Sequence, residues 1–202
     1  MKRKNKTTRI ATPCGPLEVQ MEKVRKALIA TPSILVCDPS IRGWGYAVIS
    51  KNTIVATGCI RTENESTKKR IRKGDDLVRR INEINTVLIS LMRKHNVVHI
   101  VTEQPHGSQS ATAAVMVGAV SGMLQTYSDT LDISIEYFSE GDCKKHLLGK
   151  RNAAKKETQL AISKIYTVPW SGKLYIDEAV ADALAVYHLA KSTSPVIRFL
   201  AN

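Results

Sequence analysis

Asp38, Glu103 and Asp182 are acids placed where an acid costs energy unless it is used. Asp38 closes the apolar run ILVC (34–37), and Glu103 closes the run VVHIVT (97–102). A carboxylate at the end of a buried strand is unfavourable unless it is paired or holds a metal. Asp182 lies in the apolar stretch AVADALAVYHLA, and Glu178 precedes it by four residues on the same helical face. Like charges at that spacing repel, and a divalent cation between them removes the repulsion. Oxygen-only donors suit hard Mg²⁺, or Mn²⁺ as its substitute. Two such ions support in-line attack of water on a phosphodiester. Taken singly, the acids also have a structural reading: an Asp before Pro, as at Asp38-Pro39, commonly shapes a turn. Their coincidence in one chain carries the catalytic reading.

Such acids need a sheet beneath them. ILVCD (34–38) reads as a buried strand and PSIRG (39–43) as a turn. WGYAVIS (44–50) and TIVATGCIR (53–61) read as two more strands, joined tightly at Lys51 and Asn52 into an antiparallel meander. A polar, basic stretch covers 61–73. Leu77, Ile81, Ile84, Leu88, Leu91 and Met92 then form one apolar stripe, which predicts a helix over about 75–95. VVHIVTE (97–103) is a fourth strand, about 110–127 a helix rich in small residues, and DISIEYF (132–138) a fifth strand. Helices are expected over about 140–148 and 153–166, broken at Gly149, and a last one over about 176–191. The expected class is α/β, a five-stranded mixed sheet flanked by helices, in the β-β-β-α-β-α-β-α order of the RNase H-like fold.

Charge narrows the partner. Lys and Arg number 30 against 18 Asp and Glu, a net charge of +12. That exceeds the magnitude of about 2–8 that serves solubility in a small domain, so a polyanion such as nucleic acid is expected. Residues 1–33 hold eight basic and two acidic residues and form a basic arm, either a disordered tail or a clamp on the DNA backbone. Residues 34–202 form the catalytic domain. Residues 142–157 hold six basic and two acidic residues, a second patch able to neutralise phosphates. Cys14, Cys37, Cys59 and Cys143 form no C-x-x-C pair, so reduced thiols and no zinc site are expected. No apolar run approaches the roughly 18 residues of a membrane span, and no apolar segment follows the basic N-terminus, so no membrane partner is expected. The chain lacks the length and the second Gly-rich loop of actin-like ATPases, so no nucleotide cofactor is expected.

Four segments resemble one family, the RuvC-type Holliday junction resolvases. ILVCDPSIRGWGYAVI is similar to their first strand and turn, and VTEQ with QSATAAVMVGAVSGML to their second acidic motif and its helix. FSEGDCKKHLLGKRNAAKKE resembles their fifth strand and basic segment, and DEAVADALAVYHLA their terminal acidic helix. The resemblance runs from about 34 to 191 and implies an RNase H-like homodimer that makes Mg²⁺-dependent paired nicks in four-way DNA junctions. On it, Asp38, Glu103 and Asp182 match metal-binding carboxylates. Lys144 and Lys155 match DNA-contacting residues, and Lys145, Lys150, Arg151 and Lys156 extend the patch. Several positions depart from the family pattern. Ala179 stands where a fourth acid or His is usual, so Glu178 is taken as the ligand, with Asp177 as its substitute. Ser40 replaces a Gly. His106 replaces an aromatic that wedges into the junction, and an imidazole can still stack on a base. The arm suits a bacteriophage-type variant and a cytoplasmic setting in a bacterial or phage-infected cell. Rival expectations are a broader flap or branch nuclease and a non-catalytic junction-binding protein.

Overall fold

The computed structural model describes residues 31–66, 69–107 and 110–201. The basic arm expected over 1–33 falls outside them up to residue 30, as does Cys14. Five strands form one sheet: β1 (Ser33–Asp38), β2 (Gly43–Ser50), β3 (Thr53–Arg61), β4 (Val97–Glu103) and β5 (Ser134–Phe138). The described helices are α1 (Lys73–Lys94), α2 (Ala111–Leu131), α3 (Glu140–Leu148), α4 (Lys155–Ile165), α5 (Leu174–Thr193) and α6 (Pro195–Ala201). The strand order is β3-β2-β1-β4-β5, with β1 antiparallel to β2 and parallel to β4. This is the expected mixed sheet of an RNase H-like fold.

The period of two along β1 explains its unbroken apolar run. Leu35 and Cys37 join a core with Ile84, Leu88 and Met92 of α1 and Leu124 of α2. Ile34 and Val36 point the other way, into a core built with Val180, Leu184 and Tyr187 of α5. Both faces are covered, so both sets of side chains are apolar. The hairpin between β2 and β3 turns at Lys51 and Asn52, both with positive φ (45° and 62°), as a two-residue hairpin turn requires. Asn52 Oδ1 accepts from the Tyr187 hydroxyl at 3.0 Å, tying α5 to that turn. At the other end of β1, Ser40 Oγ accepts from Gly43 N–H and donates to Gly43 C=O, each at 3.0 Å, and so closes the turn where the family usually has Gly.

Several boundaries differ from expectation. Helix α2 runs to Leu131, because Asp132 rather than a glycine takes the left-handed cap (φ 55°). Helix α5 is longer by two residues at each end. Helix α6 was not anticipated. Its start follows the Ser-cap, Pro-first rule: Ser194 Oγ accepts from Ile197 N–H at 3.1 Å, and Pro195 opens the helix. Cys37, Cys59 and Cys143 are free thiols.

Candidate active site

Alternation that buries Ile34 and Val36 against α5 also turns Asp38 to that face. On β4, Val101 belongs to the same core, so Glu103 two residues on faces the same way. The parallel register pairs Cys37 with Thr102, which sets Asp38 and Glu103 side by side at the carboxyl end of neighbouring strands. Across from them lies α5, and its approach depends on one glycine. Gly45 pairs with Asp38 in the sheet. A Cβ on Gly45 would sit 2.3 Å from the Ala179 carbonyl oxygen, an impossible contact. Gly45 and Ala179 together let the α5 backbone rest on β2, which brings Asp182, 8% exposed, down to the sheet end. The position three before Asp182 is therefore a packing contact against β2.

Glu178 borders a cleft of about 480 Å³ that also holds Asp38, Lys155, Arg42, Arg61 and Tyr175. Asp177 faces elsewhere. It is 4% exposed and accepts from Ser171 N–H (2.8 Å), Ser171 Oγ (2.7 Å) and Gly172 N–H (3.0 Å). Those bonds occupy its oxygens in holding the loop before α5. On the other side of Asp38, a cavity of about 330 Å³ is lined by Asp38, Glu103, His106, Ile41, Met116 and Val120 among others. His106 is exposed at its edge, its Nδ1 2.9 Å from the Gln104 carbonyl.

The electrostatics are those of carboxylates short of counter-charge. Burial, then Asp182 and Glu140, push the Asp38 pKa up to about 7, while Lys155 and Lys144 oppose the rise. Burial, then Asp38, Glu140 and Asp182, push Glu103 up to about 8. Burial also raises Asp182, with Lys155 the main offset. Lys155 Nζ stands 3.3 Å from Asp182 Oδ2. Burial works against the Lys155 charge, but Asp182, Asp38 and Glu178 outweigh it and hold its pKa above the ordinary lysine value. Lys155 thus occupies the place a cation is wanted. The acids ring an opening without closing on a point: among the described residues, no three Asp, Glu, His or Cys side chains are gathered tightly enough to hold one ion. The donor set nevertheless fits a hard divalent cation, being all oxygen, at least half-buried and under-neutralised.

The basic residues divide in two. Lys144 is ion-paired to Glu140, Lys150 to Glu157 (2.6 Å), Arg151 to Asp142 (2.6 Å) and Lys155 to Asp182. Lys145 and Lys156 are exposed with no ion pair among the described residues. Sequence reasoning missed Glu140. It opens α3 directly after β5, and Phe138 of β5 pairs with Glu103. Its hydrogen bond to Lys144 holds its pKa below the usual range. It also missed Arg42 and Arg61. The signal available was an arginine at each strand end beside the Asp38 turn.

A family model for crossover junction endodeoxyribonuclease RuvC matches residues 34–188. A relative of that name from Shewanella sediminis is 24% identical over 163 residues, covering 79% of this chain and 88% of the relative. One from Psychromonas ingrahamii is 26% identical over 159 residues, covering 77% and 85%. Among solved structures, Thermus thermophilus RuvC in complex with a Holliday junction substrate superposes with a TM-score of 0.59 at 18% identity, covering 79% of this chain and 95% of that one. The yeast mitochondrial Holliday junction resolvase gives 0.51 at 14% identity, covering 93% and 92%. Those likenesses establish the fold.

Proposed function

Because this chain belongs to the crossover junction endodeoxyribonuclease RuvC family, we propose that it is a metal-dependent endonuclease that resolves four-way DNA junctions by paired nicks. The observation that carries this reading is that Asp38 and Glu103 end neighbouring parallel strands on the sheet face that α5, the helix of Asp182, covers. Repulsion among these acids supports a cation-binding role, since Asp182 raises the pKa of Asp38, and Asp38 and Asp182 both raise that of Glu103.

Asp38, Glu103, Glu178 and Asp182 would hold Mg²⁺, two ions per site, and Mn²⁺ would substitute. Bound there, the cations supply Lewis acidity to the attacking water and charge neutralisation to the leaving 3′ oxygen, which leaves a 5′-phosphate. Lys155, poised at Asp182, shifts its charge to a DNA phosphate once the acids are neutralised. Lys144, held by Glu140 and opposing the rise in the Glu103 pKa, serves the same end. Lys145, Lys150, Arg151 and Lys156 extend the phosphate contacts along α3 and α4. The apolar cavity beside Asp38 and His106 suits an unstacked base. Residues 1–33 act as a basic arm apart from the nuclease domain of 34–202.

Paired nicking calls for two copies. The exposed side of α2 offers Ala111, Ala114, Val115, Gly118 and Gly122 as one stripe. A Cβ on Gly118 or Gly122 would meet nothing within 4 Å, and Val115 is 59% exposed. We assign this stripe to the homodimer contact. Among the described residues, no helix is long and apolar enough to cross a membrane.

The test is cleavage of a fixed four-way junction beside duplex, flap and fork controls, with and without Mg²⁺. Junction-selective paired nicks support the reading. Equal cutting of flaps indicates a broader branch nuclease, and binding without product indicates a non-catalytic junction protein.

A further inference from the structure

Most basic groups near the catalytic end are held by an acid: Lys144, Lys155, Arg151, Lys150, Arg72 and Arg79 each have a carboxylate within 4.0 Å. Arg42 and Arg61 are different. Arg42 lies in the turn after β1 and Arg61 at the end of β3, and both are exposed. Their backbones are neighbours, since Gly43 pairs with Arg61 and Thr62 N–H donates to the Arg42 carbonyl at 3.3 Å. Among the described residues, neither has a carboxylate within ion-pairing distance. Arg61 instead lies over the Tyr175 ring, its guanidinium carbon 4.2 Å from the centroid.

A third arginine lies behind them. Arg80 is 3% exposed, and its Nε donates to Thr62 Oγ1 at 2.7 Å. Thr62 donates onward to the Ile41 carbonyl at 2.5 Å, so the buried guanidinium is tied to the turn that carries Asp38. Arg80 too has no ion-paired acid among the described residues. Burial pulls its pKa below the usual arginine value; Asp76 opposes this, and Arg79 and Arg42 add to the fall. Arg42, Arg61 and Arg80 line one cleft of about 480 Å³ with Thr62, Asn64 and Met116. Glu63 also borders it, with its carboxylate beyond ion-pairing reach of all three. Arg42 and Arg61 also wall the cleft that contains Asp38 and Glu178, so the two clefts adjoin.

Guanidinium groups converging without a counter-ion repel one another, and an anion between them turns that cost into attraction. The fork of an arginine fits the oxygens of a phosphate. We infer that the Arg42–Arg61–Arg80 cleft is a phosphate subsite that grips the DNA strand beside the phosphodiester held at Asp38. This rests on the nuclease reading above.

Arg42→Gln with Arg61→Gln, made in an Asp38→Asn chain, tests it. Both arginines are exposed, so the fold is unaffected, and an unchanged Tm verifies this. Junction affinity is measured by fluorescence anisotropy over a range of salt. The expected result is about tenfold weaker binding at low salt and a slope of log K against log salt shallower by about 1–2. The control is Lys51→Gln with Lys94→Gln, which removes the same charge at the far end of the sheet. A double-arginine variant that matches this control in affinity and slope overturns the subsite. If the unmodified chain still nicks junctions in that case, the nuclease reading stands without it. Inorganic phosphate is the second probe. If the arginine pair governs phosphate binding but leaves junction affinity unchanged, the cleft is a free-anion site and the DNA assignment is wrong. Neutral methylphosphonate linkages placed beside the cleavage point should weaken the Asp38→Asn chain and not its double-arginine derivative.

Discussion

Asp38 and Glu103 hold protons that acids in water give up. Their pKa values near 7 and 8 arise from burial first and from neighbouring acids second. A carboxyl whose pKa is higher folded than unfolded binds its proton more tightly in the fold. Folding stability therefore falls as pH rises from about 4, the unfolded value, and the loss is complete above the folded pKa. Asp38→Asn removes one of these charges. In metal-free buffer at about pH 8.5 the variant should be more stable by on the order of 2 kcal/mol, several degrees in Tm, and the gain should shrink as pH falls and vanish below about pH 4. Equal melting at both pH values, read by calorimetry, would contradict the electrostatic picture. The three strand-end and helix acids were legible because each interrupts an apolar run. The role of Asp177 was not, since three hydrogen bonds from Ser171 and Gly172 decide it and none has a spacing signature. Glu140, Arg42 and Arg61 were hidden for a related reason. Each is ordinary in its local sequence and acquires meaning only from which strand end it adjoins.

At the scale of elements, the site depends on how closely α5 meets β2. Gly45 and Ala179 set that distance. Gly45→Val should cost about 3 kcal/mol by overpacking, and where α5 shifts to relieve it, Asp182 moves away from Asp38. The expected outcome is a lower Tm together with loss of cleavage that extra Mg²⁺ does not restore. A Gly45→Val chain with unchanged Tm and activity would show that the helix does not rest there. The strands were readable because both sheet faces are covered, which makes the interiors of β1 and β4 largely apolar. The end of α2 was not, because an Asp in the left-handed conformation stops it where a Gly would have announced it. Helix α6 escaped although Ser194 and Pro195 are a helix-start pair. Its seven residues are too few for a periodic stripe.

For the molecule as a whole, the proposed function makes basic surface and acidic pocket two halves of one device: the surplus of +12 would collect phosphates, and the acids would work on one of them. Two copies are needed for paired cuts, and the α2 stripe is the surface assigned to that contact. Val115→Glu with Gly118→Arg should turn a dimer into a monomer in sedimentation, and it should convert paired nicking into independent single nicks. A variant that remains dimeric would move the contact elsewhere. Asp38 and its companions are proposed to hold the divalent cations on which junction cleavage depends. The most direct measurement is product analysis of a strand-labelled four-way junction. The chain and its Asp38→Asn form are each assayed in Mg²⁺ and in chelator. The account expects symmetric nicks from the unmodified chain in Mg²⁺ alone, and cleavage lowered by about 100-fold or more in Asp38→Asn with junction binding retained. Cutting that survives chelation, or that Asp38→Asn performs at the parental rate, would contradict it.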